Sequence, residues 1–241
     1  MFYFHEMNLH GLTISPLGDT AIIINFENII DETVNRTVLQ LFHKLKMQAL
    51  PFVKDIVPAY SSLVIFYDLL ILENKKPINK SCLEIVLAHV KKILAEDIKI
   101  SSLPARKIKI PVCYSEKYAL DLDDISKEIK MSANEIINLH TARKYRVYMI
   151  GFTPGFAYMG EVDERIAMPR KVQPRTKVEA GSVGIAGTQT GIYPLDSPGG
   201  WQIIGRTPLK LFDKEKDDPV LLQPGDEIEF YTITEDEFAN Y

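Results

Sequence analysis

Ten of the 13 glycines in this 241-residue chain fall between Gly151 and Gly205, together with Pro154, Pro169, Pro174, Pro194, Pro198 and the only tryptophan, Trp201. Glycine and proline make backbone that turns sharply and lies close to other groups, and no helical periodicity survives after Gly151. No charged side chain occurs between Gly181 and Leu195. Two readings meet these constraints: a site built largely of main chain, or a β-barrel whose small residues permit its corners. The short runs KVEAG, SVGIAG, GWQIIG, PLKLFD and EIEFYTI, separated by Gly, Pro and Asp turns, predict an all-β unit that is closed or nearly so. In GFTPGFAYMG, Phe152, Phe156 and Tyr158 are too aromatic for a linker and either line a pocket or plug one end of the barrel.

The first hundred residues alternate between periods. Thr20 to Phe26 is a β-rich run reached through the turn Pro16-Leu17-Gly18-Asp19, and Asp31 then caps a helix with Val34, Val38, Leu41, Phe42 and Leu45 on one face. Phe52 to Val57 and Ser62 to Tyr67 predict a hairpin, and Ser81 with Glu84 forms a capping box ahead of Leu83, Val86, Leu87, Val90 and Leu94. Lys107 to Val112 alternates like a half-exposed strand. The order β-α-β-β-α-β matches a split βαβ, ferredoxin-like arrangement. Two short helices follow, with Leu122, Ile125 and Ile129 aligned in one and a second capping box, Ser132 with Glu135, opening the other; the strand Tyr145 to Ile150 then leads into the glycine-rich part. The expected organisation is an α+β domain over residues 1–104 and an all-β barrel domain over 105–241.

Bulk properties exclude several functions. A net charge of -4 and a pI near 5.8 give no electrostatic reason to expect nucleic acid as a partner. Cys82 and Cys113 stand in no CxxC or His-rich setting, so they read as reduced, buried thiols and no metal site is expected. No segment approaches the roughly 20 apolar residues that cross a bilayer, and the N-terminus lacks a signal pattern, so the chain reads as cytoplasmic with no membrane partner.

Gly200 to Thr207 comes within one residue of the phosphate-binding loop GxxxxGK[ST], but Pro208 and an alternating LKLF run follow it instead of a helix, so the match is rejected. There is no GxGxxG and no GxSxG. What remains is polar groups in turns rich in main chain: Arg175, Ser182, Gln189, Thr190, Tyr193, Ser197 and Arg206. Arginine offers a rigid fork of donors for carboxylate or phosphate, and backbone amides in SPGG or AGSVGIAG suit an anion or a developing oxyanion. Each has a structural alternative, since Arg206 can pair with a carboxylate and Gln189 can cap a turn. His140 either meets the negative end of its helix or is aimed at the mouth of the second domain.

GFTPGFAYMG, PRTKVEAGSVGIAGTQTGIYPLDSPGGWQIIGRTPLKLFD and LLQPGDEIEF, with PLGDTA, VPAYSSLVIFYD, IPVCY and LHTARKYRVYMIGF, resemble the allophanate hydrolase subunit 1 family, which takes in KipI and the B subunit of 5-oxoprolinase. The resemblance covers nearly the whole chain, and Ala157 departs from it where proline is expected. It implies a ferredoxin-like α+β domain followed by a cyclophilin-like barrel. It also implies a component that works with the A and C subunits of 5-oxoprolinase to open 5-oxo-L-proline to L-glutamate at the expense of ATP. The resemblance further implies that the ATP, with Mg, is bound by the assembled complex and that no biotin is expected on this chain. The alternatives it carries are an inhibitor of a sporulation histidine kinase and a urea amidolyase-related protein. Under the first reading Arg175, Gln189, His140 and Arg206 are catalytic, while Ser182, Gly184, Gly187, Thr190, Tyr193, Ser197, Gly199 and Gly200 bind substrate or anion. The amides of Gly184, Gly187, Gly199 and Gly200 then face the lactam oxygen.

Overall fold

The computed structural model describes residues 7–9, 12–27, 29–74, 77–95 and 105–241. Two units emerge, Met1–Pro104 and Ala105–Tyr241. The first contains β1 (Met7–Leu9), β2 (Leu12–Pro16), β3 (Ala21–Asn25), α1 (Glu32–Met47), β4 (Val53–Pro58), β5 (Ser62–Tyr67), α2 (Leu69–Glu73) and α3 (Cys82–Ala95). Its strands form an antiparallel sheet in the order β1-β2-β3-β5-β4. Asp31 starts α1 by accepting from the amides of Thr33 and Val34 at 2.8 and 3.0 Å, and Ser81 with Glu84 closes the expected box ahead of α3. Val38, Leu41 and Leu45 of α1 and Val86, Val90 and Ile93 of α3 bury against Ile22, Ile24, Leu63 and Ile65, alternate residues of the two central strands. Each such side chain stabilises the unit by roughly 1.5–3 kcal/mol. The β4–β5 turn is fixed from below, where buried Asn35 of α1 donates to the carbonyls of Ala59 and Tyr60, each at 3.2 Å.

The β-α-β-β-α-β reading needs a correction at its sixth member. Lys107–Val112 is a strand, β6, but it lies in the second unit and pairs in parallel with β14 (Glu227–Thr232) over six residues. Its apolar residues Ile110 and Val112 belong to the second core. The position beside β3 is filled by β2, the strand LTISP that the sequence reading assigns to no element.

The rest of the second unit comprises α4 (Leu122–Ile129), α5 (Ala133–Thr141), β7 (Lys144–Ile150), β8 (Ala157–Gly160), a 3₁₀ turn (Glu164–Ile166), β9 (Arg175–Val178), β10 (Ser182–Ala186), β11 (Gln189–Ile192), β12 (Ser197–Gly199), β13 (Gln202–Arg206) and α6 (Glu235–Ala239). Seven strands run β13-β10-β11-β8-β7-β14-β6, and β12 and β9 form a separate ribbon. The outermost strands meet again through an isolated bridge, in which the amides of Cys113 and Arg206 donate to each other's carbonyls at 2.8 and 3.0 Å. The sheet is thereby curled back onto itself, which removes much of its open edge. Ala157, Met159, Val183, Ile185, Ile192 and Ile204 bury against α4 and α5 residues Leu122, Ile125 and Ile136. The run PLKLFD forms no strand, because Pro208 has no amide to donate; only Phe212 pairs, in a bridge to Val220. Helix α6, with its capping box of Thr234 and Glu237, is an addition to the expected all-β part.

Candidate functional site

Along β8, β10 and β13, the residues that alternate with the main core make a second cluster: Phe156, Tyr158, Ala186, Trp201 and Ile203, joined by Val178 and Tyr193. Phe156 stands near the centre, with ring centroids 4.7 Å from Tyr158, 5.2 Å from Tyr193 and 5.3 Å from Trp201. The glycines make this possible. Gly184 and Gly191 are cross-strand partners, and a Cβ at Gly191 would come within 2.9 Å of Trp201 Cζ3, while one at Gly184 would lie 3.1 Å from Trp201 Cβ. Gly199 leaves room for the Tyr193 ring in the same way. Three of the ten glycines between Gly151 and Gly205, namely Gly184, Gly191 and Gly199, thus make room for the rings of Phe156, Tyr193 and Trp201. Burial pushes the hydroxyls of Tyr158 and Tyr193 up, although the Arg170 charge opposes it at both.

Cations gather beside this cluster. The Arg170 guanidinium lies 6.0 Å from the Trp201 ring centroid, within cation–π range. Arg175 holds Asp121 with a bidentate fork at 2.6 and 2.9 Å, and Lys171 Nζ reaches the same Asp121 Oδ1 at 2.6 Å. The Asp121 side chain is 0% exposed, whereas those of Lys171 and Arg175 are 27% and 25% exposed. Its other oxygen also accepts from the Ile203 amide at 2.7 Å. Burial alone would raise the Asp121 pKa, but Arg175, Lys171 and the Ile203 amide outweigh it and the carboxyl titrates below its usual range. The two cations sit no more than about 5 Å apart, where like charges repel by roughly 3 kcal/mol at an effective dielectric near 20. Asp121 is what makes that proximity tolerable. Of this group only Arg175 stands out in the sequence; Asp121, Lys171 and Arg170 do not. The visible signal was limited to PRK and PR preceding a strand.

His140 closes α5 but is fully enclosed rather than placed at a mouth. Its Nδ1 is 2.8 Å from the Tyr114 hydroxyl and its Nε2 is 2.9 Å from Thr190 Oγ1, while Phe230 stacks on the ring at 4.7 Å. Thr190 donates onward to the Gly184 carbonyl at 3.1 Å, so its oxygen accepts from Nε2–H and Nδ1 accepts from the tyrosine. The chain of hydrogen bonds is complete, and burial lowers the His140 pKa to about 3. The imidazole is neutral. It ties α5 to the strands under the aromatic cluster.

The other expected residues lie apart. Arg206 donates to the Ala180 carbonyl at 2.9 Å, pairs with Glu179, and faces the rings of Tyr118 and Phe238 at 5.9 and 6.0 Å. Gly187 donates its amide to the Met168 carbonyl at 2.6 Å, so it is not arranged as an oxyanion donor, and Gly184 pairs with Gly191 and Ile203 within the sheet. Gly200 accepts from the Lys171 amide at 2.7 Å, and Gly199 pairs with Arg175 across the β12–β9 ribbon. Ser182 is buried at the start of β10, where its carbonyl accepts from the Tyr193 amide at 2.9 Å. Ser197 Oγ is buried with no hydrogen-bond partner among the described residues. Gln189 begins β11 opposite Gly160 of β8. The structure thus brings Arg175, Gly184, Tyr193, Gly199 and Gly200 around one aromatic cluster and joins His140 and Thr190 beneath it, leaving Arg206 and Gly187 elsewhere.

The segment resembling a phosphate loop is strand β13, whose Gly184-facing ladder leaves no helix N-terminus, and among the described residues no group of three His, Cys, Asp or Glu side chains could hold a metal ion. Among the described residues, no helix is long and apolar enough to cross a membrane.

Residues 12–222 match the family described as the carboxyltransferase domain, subdomain C and D. The chain belongs to that family. Within it, the chain is 42% identical over 229 residues to the 5-oxoprolinase B subunit of Bacillus subtilis, covering 95% of each. It is 36% identical over 219 residues to the protein of the same name from Haemophilus influenzae, covering 91% of this chain and 97% of that one. The urea amidolyase of Kluyveromyces lactis shares the fold with a TM-score of 0.72 at 22% identity, over 95% of this chain and 15% of that one.

Proposed function

We propose that this chain is the B subunit of an ATP-dependent 5-oxoprolinase, acting in the cytoplasm with the A and C subunits as partners to open 5-oxo-L-proline to L-glutamate. The observation that carries the reading is end-to-end correspondence, 95% of both chains, with a protein of that name. In finer terms the first unit is a ferredoxin-like domain, with β2 standing where Lys107–Val112 was expected, and the second a cyclophilin-like barrel.

Opening the lactam adds water across an amide C–N bond, leaving an amine and a second carboxylate. A protein contributing to that reaction has to hold a small ring bearing one carboxylate and keep the amide oriented. The aromatic cluster with its cationic flank suits both tasks, with Arg170, Lys171 and Arg175 toward the carboxylate and Tyr158 and Gln189 toward the ring. His140 and Thr190 act from beneath as positioning residues. ATP, with Mg, belongs to the assembled complex.

The test is reconstitution. The A and C subunits co-expressed with this chain should hydrolyse ATP and release glutamate in proportion to added 5-oxo-L-proline, and those two alone should not. Equal activity with and without this chain would end the proposal.

A further inference from the structure

Asp121 has no capacity left. Oδ1 accepts from Lys171 Nζ and Arg175 Nη2, and Oδ2 accepts from Arg175 Nη1 and the Ile203 amide, so all four of its lone-pair sites are taken. The cations are not similarly spent. Lys171 uses one of three ammonium donors and Arg175 two of five, and both side chains remain about a quarter exposed. Two positive charges share one buried carboxylate, leaving an excess of one charge and five unused N–H groups fixed in place. The backbone adds rigidity, because the Lys171 amide is bonded to the Gly200 carbonyl at 2.7 Å.

From this we infer that Lys171 and Arg175, clamped by Asp121, form a binding site for an oxyanion, and that its ligand is the carboxylate of the small amide substrate. The second half of that statement rests on the functional reading above. Asp121 serves as a positioning residue: it cannot bind the ligand but sets the spacing of the groups that do. Preorganisation of this kind lowers the entropy lost when a small anion binds. An anion entering here completes the hydrogen bonding of the two cations and offsets their mutual repulsion. The phosphoryl group of a nucleotide is the other source of the same chemistry, and the probes below separate the two.

Trp201, the only tryptophan, follows directly on Gly200 and provides the signal. The full chain is titrated by intrinsic fluorescence with 5-oxo-L-proline, with cyclopentanecarboxylate, which lacks the amide, with 2-pyrrolidinone, which lacks the carboxylate, and with inorganic phosphate. The two carboxylates should bind, and 2-pyrrolidinone should bind at least tenfold more weakly. Lys171→Met should weaken carboxylate binding tenfold or more, Lys171→Arg should restore it to within a few-fold, and Lys214→Met, which removes a cation outside the cluster, should leave it unchanged. Circular dichroism and urea melts of each variant separate lost binding from lost folding. Unchanged affinity in a folded Lys171→Met variant, or equal binding of 2-pyrrolidinone, would overturn the site. A response to phosphate without one to either carboxylate would overturn the carboxylate assignment. Lys171-dependent carboxylate binding in a chain whose reconstituted complex lacks 5-oxoproline-dependent ATP hydrolysis would refute the functional reading and leave the site standing.

Discussion

His140 is uncharged at neutral pH because its ring is sealed between Tyr114, Thr190 and Phe230 with no carboxylate to stabilise a proton. Its folded pKa, about 3, lies below the ordinary histidine value of 6.5, so between those values the unfolded chain binds a proton that the folded chain refuses. The resulting stability is complete above pH 6.5 and declines as pH falls toward 3, by up to roughly 5 kcal/mol. Urea denaturation across that window should show the decline, and it should flatten in His140→Asn, which is itself expected to be about 2–4 kcal/mol less stable at pH 7. Two glycines give a second residue-level comparison. Gly181 has φ +85 and a Cβ there would overlap the Thr207 carbonyl, whereas Gly187 has φ +60 and open space. Gly187→Ala should lose about 1 kcal/mol and Gly181→Ala at least about 3 kcal/mol, as measured by shifts in the urea midpoint. Sequence placed His140 at a helix end but could not reveal its burial, since its partners are 26 and 50 residues away. The same is true of Asp121, whose cations lie 50 and 54 residues downstream.

Elements were legible where their instructions are local. The cap of Asp31 and the boxes at Ser81 and Ser132 all form as the sequence directs, and so do the hairpin strands β4 and β5. Ser132→Ala should reduce thermal stability by about 1 kcal/mol, read from the melting temperature, because the Glu135 amide loses its acceptor. What failed was sheet membership. The alternation in KIKIPV declares a strand without naming its neighbour, and β6 is adopted by a strand that starts at residue 227. Arg206 illustrates the same limit, for its fork reads as an anion holder until Tyr118, Phe238 and Glu179 are found around it. Arg206→Ala should therefore lower stability by roughly 1–3 kcal/mol while leaving the carboxylate affinity of the folded chain within a few-fold.

At the scale of the molecule, each unit carries its own core, and every strand of the seven-stranded sheet lies within residues 105–241. Expressed separately, fragments 1–104 and 105–241 should each give dispersed amide spectra and cooperative unfolding; a collapsed spectrum from either would show that it depends on the other. The parallel pairing of β6 with β14 sets a further condition on the second of them. During synthesis β6 is made some 115 residues before its only full-length partner, so the curled sheet cannot shut while translation is still in its middle. The first unit has all its described strands by residue 67 and faces no such delay. The aromatic cluster and its cations, all laid down during that interval, become a finished surface only when the lagging strand arrives, which makes the nascent, still-open sheet the stage at which this protein is most in need of protection from aggregation.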